Sequence, residues 1–144
     1  MKMETKKKKL ETRDLMIGDL VRNQEEIYLV LELSCDTLLC SMESCKSVLK
    51  CLRKNEFEGI ELNESILVDN GFVRTDNNKI GIAYSMNCDG HEIDIVDNEI
   101  LIGSIQNGDI FMIASCVLPQ YVHDFQHILR LYGHRDLANN FTVK

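Results

Sequence analysis

The sequence predicts an α+β protein: an N-terminal SH3-like antiparallel β-unit, a short helix, an antiparallel β meander and a C-terminal helix packed on the sheet. Three observations predict it. Short apolar or alternating runs recur through residues 15–52 and again through 79–118, separated by turn-forming links. Between these blocks stands a compact helix signature, "LNESILVDNGF". After the second block comes a longer amphipathic pattern, "PQYVHDFQHILRLYG". A chain of 144 residues fits one domain, or two small lobes sharing a core. At that size roughly 68–70% of the unfolded surface can be buried, so no metal or disulfide staple is needed. The expected organisation is a disordered basic tail over 1–12 and a single domain over 13–144. That domain divides into the β-unit (13–54) and a helix-meander-helix portion (55–144).

The first block opens with "LMIGDLVRNQEEIYLVLEL", which reads as strand, turn, strand. Gly18 and Asp19 precede the apolar pair Leu20-Val21, polar residues 22–26 turn the chain, and Ile27 to Leu33 form an apolar run. "TLLCSM" and "SVLKCL" complete four short strands on short polar links, the pattern of a strongly bent sheet or SH3-like barrel. In "LNESILVDNGF", Asn63 is a good N-cap and Glu64 suits the positive end of the helix dipole. Leu62 can meet Leu67 as a hydrophobic staple, and Gly71 supplies the left-handed residue that ends the helix. From 72 to 118, "KIGIAYSM", "HEIDIVD", "EILIGSI" and "DIFMIASCVL" are joined by "NCDG", Asp97-Asn98 and "QNGD", so three or four meander strands are expected. Pro119 is placed to open the last helix and Gly133 to stop it. Tyr121, Val122, Phe125, Ile128, Leu129 and Tyr132 form its core-facing stripe. The tail "HRDLANNFTVK" is expected to add a short strand or lie against the sheet.

Four of the six cysteines fall in "SCDTLLCSMESCKSVLKC". Their spacing, C-x4-C-x4-C-x5-C, lacks the tight pairs of a zinc knuckle. On a helix the four would share no face. On strands, Leu38, Cys40 and Met42 share one face, and Leu49 and Cys51 another, opposite Val48, Lys50 and Leu52. Cys40 and Cys51 are therefore expected to be buried packing residues, with Cys35 and Cys45 near turns. Cys88 and Cys116 complete no recognisable ligand set. A nucleophile–base pair of Cys88 and His91 would need geometry that three residues of separation do not supply.

Composition and charge narrow the function classes. The chain is 44% hydrophobic and 27% charged, with no Trp and a single proline. No apolar run approaches the roughly 20 residues of a membrane span. The start, "MKMETKKKKLETRD", has no apolar core behind its charges and does not read as a secretory signal. The expected compartment is the cytoplasm. Lys2 and Lys6 to Lys9 sit in a chain whose net charge is −7, so the body is more acidic than that figure. Such a body repels nucleic-acid phosphate and anionic membranes, leaving nucleic acid only through the lysine tail and the barrel.

His123 and His127 have the i, i+4 spacing of helical zinc ligands, but "HDFQH" lacks the metalloprotease glutamate. A third ligand would have to be His134, beyond Gly133, or Asp124. No metal or cofactor is expected. Both histidines project opposite the apolar stripe beside Arg130, so His123, His127 and Arg130 read as a solvated or partner-facing polar ridge. No phosphate loop, dinucleotide fingerprint, EF-hand or G-x-S-x-G elbow is present. The expectation is a non-catalytic interaction protein with an unknown protein partner, through that ridge or a free sheet edge, with a homo-oligomer as one possibility.

Three stretches in order resemble a group of small uncharacterised proteins of Bacteroides-type gut bacteria, their phages and mobile elements. One is the Ile-Gly-Asp-x-Val start of "LMIGDLVRNQEEIYLVLEL". The second is "GIELNESILVDNGF", whose Leu62, Asn63, Glu64, Leu67, Gly71 and Phe72 fit an L-T-E-x-x-L-x-x-x-G-F pattern. The third is "YVHDFQHILRLYG", whose Tyr121, Val122, His123 and Gln126 fit Tyr-Val-His-x-Leu-Gln. They cover about half the chain, 15–33, 59–73 and 119–137. "GIEL" stands at 59–62 where "PIPL" is the pattern, and 74–118 has no counterpart. The resemblance implies a phage or mobile-element accessory protein and carries no activity. A counter-defence role, binding a host protein or a nucleotide signal, is compatible with it.

Overall fold

Two antiparallel sheets share the chain, and one helix packs against both. The structure is a computed structural model that describes residues 10–79 and 81–144. The first sheet is a meander in the order β1 (Leu20–Asn23), β2 (Glu26–Leu33), β3 (Thr37–Met42), β4 (Cys45–Arg53). Helix α1 (Glu64–Asp69) leads into a second meander, in the order β5 (Val73–Asn77), β6 (Gly81–Cys88), β7 (His91–Val96), β8 (Glu99–Gln106), β9 (Asp109–Val117). Helices α2 (Val122–Leu131) and α3 (Arg135–Asn139) close the chain. The fold is α+β, as the periodicities predict.

Turn chemistry explains the second meander. Its three long hairpins close on Asp89-Gly90, Asp97-Asn98 and Asn107-Gly108, and all six residues have positive φ, from 49° to 82°. That is the type I′ turn, whose twist matches that of the flanking strands. The meander has one strand more than the apolar pattern predicts. β5, "VRTDN", pairs with β6 yet carries Arg74 and Asp76, so it offers no hydrophobic alternation to read.

The smaller sheet encloses its own core of Leu10, Leu15, Val21, Tyr28, Val30, Leu38, Cys40, Leu52 and Phe57. The expected SH3-like barrel is an open meander with one bridge, where Arg22 and Glu58 exchange backbone hydrogen bonds of 2.9 and 2.8 Å. Leu10 is buried in this core, so the fold begins earlier than the predicted residue 13. The lysine run lies outside the described residues. Cys40 is buried as expected, but Cys51 is exposed. The register explains the correction: Leu38 and Cys40 pair with Leu52 and Lys50, so the Leu52 face of β4 looks inward and the Leu49–Cys51 face outward.

Local signals elsewhere hold. The Asn63 side chain accepts from the Ile66 N–H at 3.0 Å, and Gly71, at φ +97°, ends α1. Helix α2 starts three residues after Pro119, because Tyr121 is still extended and bridges to Glu61. The tail forms α3 rather than a strand, after which Phe141 and Val143 return to the core. Val122, Phe125 and Leu129 of α2 pack on Tyr84, Ile93, Ile95, Ile100 and Ile102 of the larger sheet. Each such fully buried side chain contributes about 1.5–3 kcal/mol.

Candidate functional site

The three residues predicted to form a surface ridge face inward. His123 is 2% exposed, and the side chains of His127 and Arg130 are largely buried. They lie against the turn before β1, where Asp19 is wholly buried. Asp19 Oδ2 accepts from the Met16 N–H at 2.7 Å and from His127 Nε2 at 2.6 Å, while Oδ1 accepts from Arg130. Gln126 adds a second tie: its Oε1 accepts from the Leu20 N–H at 3.0 Å, and its amide donates to the carbonyls of Gly18 and Ala138 at 3.0 and 2.9 Å. His123 stacks on Tyr121 with ring centroids 5.8 Å apart. Burial, with His127 nearby, holds its pKa below the usual 6.5, against the pull of Asp124 and Asp19.

This polar face therefore joins the two halves of the molecule. A solvated ridge is ruled out at His123, because the helix has a second covering layer. Asp19 and Gln126 were not among the predicted site residues. The available signals were an Asp directly before the buried pair Leu20-Val21 and a Gln directly after buried Phe125. The first and third stretches that carry the sequence resemblance are the two sides of this one contact.

A second polar cluster lies where the β6–β7 hairpin meets the elbow between α2 and α3. Cys88 Sγ stands 3.6 Å from Asp89 Oδ2, and His134 Nδ1 stands 4.0 Å from the same oxygen. One ligand-type atom from each of the three lies within 4.8 Å of the other two. His134 is 1% exposed; its Nε2 meets His91 Nδ1 at 2.9 Å, and its Nδ1 has no hydrogen-bond partner. Burial and the carboxylates of Asp89 and Asp136 push the Cys88 thiol pKa up, and burial and His91 push His134 down. Cys88, expected to complete no ligand set, has Asp89 and His134 beside it in space. A separation spanning the meander and α2 hid that from the sequence.

The third feature is a contrast between the edges of the larger sheet. β5 at one edge displays Arg74 and Asp76, charges that discourage edge pairing. β9, at the other edge, has no partner strand on its outer side among the described residues. Along it Ile110, Phe111, Met112, Ile113 and Val117 are 50 to 75% exposed. Ala114 and Cys116 pack inward, and a bulge opposite Ile102 and Gly103 accommodates Ile113. Residues 110–119 include no Asp, Glu, Lys, Arg or His.

Two clefts are weaker candidates. One, of about 340 Å³, is dominated by Glu58, Glu61 and Asp69 with Arg22 and Lys144, and the other, of about 560 Å³, lies between α1 and the larger sheet. Neither lining includes a Cys or His. No helix among the described residues is long and apolar enough to cross a membrane. No protein-family model, curated protein or solved structure matches the chain.

Proposed function

We propose that this chain is a non-catalytic interaction module that works through the free β9 edge, with a second copy of itself as the occupant. The observation that carries the reading is the exposure of Ile110, Phe111, Met112, Ile113 and Val117 along an edge strand that has no partner on its outer side among the described residues. A long apolar edge left open is an aggregation hazard, and covering it by strand addition satisfies both its side chains and its free backbone groups.

The strand's charge pattern favours a second copy. Antiparallel pairing of β9 with itself is two-fold symmetric and would continue the meander across the interface. If that pairing centres on Ile113, the two Asp109 carboxylates stand at opposite ends, roughly 26 Å apart at the strand rise. That exceeds the ~8 Å screening length at physiological salt. The acidic charge of the chain therefore does not oppose the contact locally. The resemblance supports placing such a module among the accessory proteins of phages and mobile elements of gut bacteria, acting in the cytoplasm by protein contacts.

Sedimentation of the full chain over a concentration series tests the reading. A reversible dimer is expected, and Met112→Lys should weaken it at least about tenfold, or ~1.4 kcal/mol. Val73→Lys on the opposite edge should leave it unchanged. A monomer at every accessible concentration would sink self-pairing through β9.

A further inference from the structure

The cluster at the hairpin tip and helix elbow has no part in the β9 contact, and its chemistry is of a different kind. We propose that Cys88, Asp89 and His134 bind one divalent cation of the zinc class, with His91 orienting His134.

Geometry is the first support. Zinc bonds of ~2.3 Å to sulfur and ~2.0–2.2 Å to nitrogen and oxygen place tetrahedral ligands about 3.3–3.7 Å apart. The 3.6 Å separation of Cys88 Sγ from Asp89 Oδ2 lies in that range, and the 4.0 Å from His134 Nδ1 to the same oxygen lies just beyond it. The three donors are set by firm backbone. Cys88 and His91 are directly paired at the end of the hairpin, across the Asp89-Gly90 turn. On the other side Gly133, at φ +88°, turns the chain, and the His134 N–H donates to the Leu129 carbonyl at 2.8 Å.

The second support is independent of the cluster's composition. A neutral imidazole has one donor nitrogen and one acceptor nitrogen. His134 uses Nε2 on His91 and leaves Nδ1 buried, unpaired and 4.0 Å from Asp89. With the proton on Nε2, His134 donates to His91 Nδ1, and the Nδ1 lone pair is free. That is the state a metal-bound histidine adopts, with the far nitrogen held by a second residue. An unpaired buried polar atom is otherwise a cost to the fold. A cation between Nδ1, the thiolate and the carboxylate removes that cost.

The donor set selects the ion. One sulfur, one imidazole nitrogen and one carboxylate oxygen suit zinc or cobalt, whereas calcium and magnesium take oxygen donors. As the sulfur–metal bond forms, the Cys88 thiol proton passes to solvent. Three protein ligands leave a fourth position open for water, on the side where the Asp89 side chain is 72% exposed. The open position distinguishes this site from a closed structural one.

The test uses the reduced full chain with Co²⁺ alone and then Zn²⁺ alone. One equivalent of Co²⁺ should produce a thiolate-to-cobalt charge-transfer band, and Zn²⁺ should displace it. Cys88→Ser should abolish the band, and Asp89→Asn and His91→Phe should each weaken zinc binding about 10–100-fold. Cys45→Ser, at an exposed cysteine on the other sheet, should change nothing. His134 is buried in the fold, so the Cys88 and Asp89 variants carry the test, each checked for a cooperative melt without metal. No one-to-one complex, or a complex unaltered in both variants, would overturn the proposal. A band lost only in Cys45→Ser would do the same.

Discussion

The two faces of α2 are covered by opposite means, the apolar one completely and the polar one for the most part. Toward the larger sheet it presents Val122, Phe125 and Leu129, which meet apolar neighbours and need only shape. Toward the turn before β1 it presents Gln126, His127 and Arg130, which meet named donors and acceptors around Asp19, Gly18 and Leu20. The difference teaches where each face is vulnerable. On an apolar face, loss is graded by volume removed. On a polar face, loss depends on what is left behind, because a buried partner without its counterpart costs more than the pair contributes.

The largest effect is expected at Phe125→Ala. The ring touches Phe72 and Phe141 at centroid distances of 6.0 and 5.7 Å, so its removal opens a cavity and breaks two aromatic contacts. The expected cost lies at the upper end of the ~3–5 kcal/mol seen for buried aromatic truncation. Urea unfolding with an unchanged slope would measure it. A loss below about 1 kcal/mol would mean that the apolar face is not packed as described.

Asp19→Ala should cost about 3 kcal/mol, the lower end for a broken buried ion pair, because His127 and Arg130 retain some access to water. The sharper test is the sign of non-additivity. Replacing Asp19, His127 and Arg130 together with apolar residues of similar volume should cost less than Asp19→Ala alone. On the other face, Leu129→Ala added to Phe125→Ala should cost more than either. Equal behaviour of the two sets would erase the distinction between the faces.

The same contrast explains what the sequence reveals. The apolar stripe of α2 is legible because an apolar face must be covered by something. A polar face carries no such demand, so His123, His127 and Arg130 read as a surface ridge until Asp19 is seen opposite. Asn63, Gly71 and the three Asp- or Asn-led turns are legible because each acts on its own few residues. β5 is hidden because a charged edge strand has no apolar alternation, and the exposure of Cys51 is hidden because parity alone does not say which face of β4 looks inward. The Cys88–His134 contact depends on the whole meander and the elbow after α2, and no local pattern encodes it. The apolar run of β9 reads as a strand, but only the sheet order reveals that it is an uncovered edge.

The smallest expected effect is a pH dependence that belongs to the buried histidines and not to the apolar face. His123 is buried with its pKa held below 6.5, among Asp14, Asp19, Asp124 and His127, so the unfolded chain binds its proton more readily than the folded one. Stability contributed by neutral His123 is complete above about pH 6.5 and declines as pH falls below that value toward the folded pKa. His134, also held low, contributes with the same sign. The urea midpoint should therefore drop between pH 7.5 and 5.5. That window lies above the ordinary carboxylate range, so histidines dominate it. His123→Phe keeps a ring stacked on Tyr121 and removes one titrating group, so it should flatten the slope without abolishing it, because His134 remains. Phe125→Ala should lower the midpoint at both pH values and leave the slope alone. If His123→Phe leaves the slope unchanged, folding does not shift the His123 pKa, and burial does not hold the ring neutral.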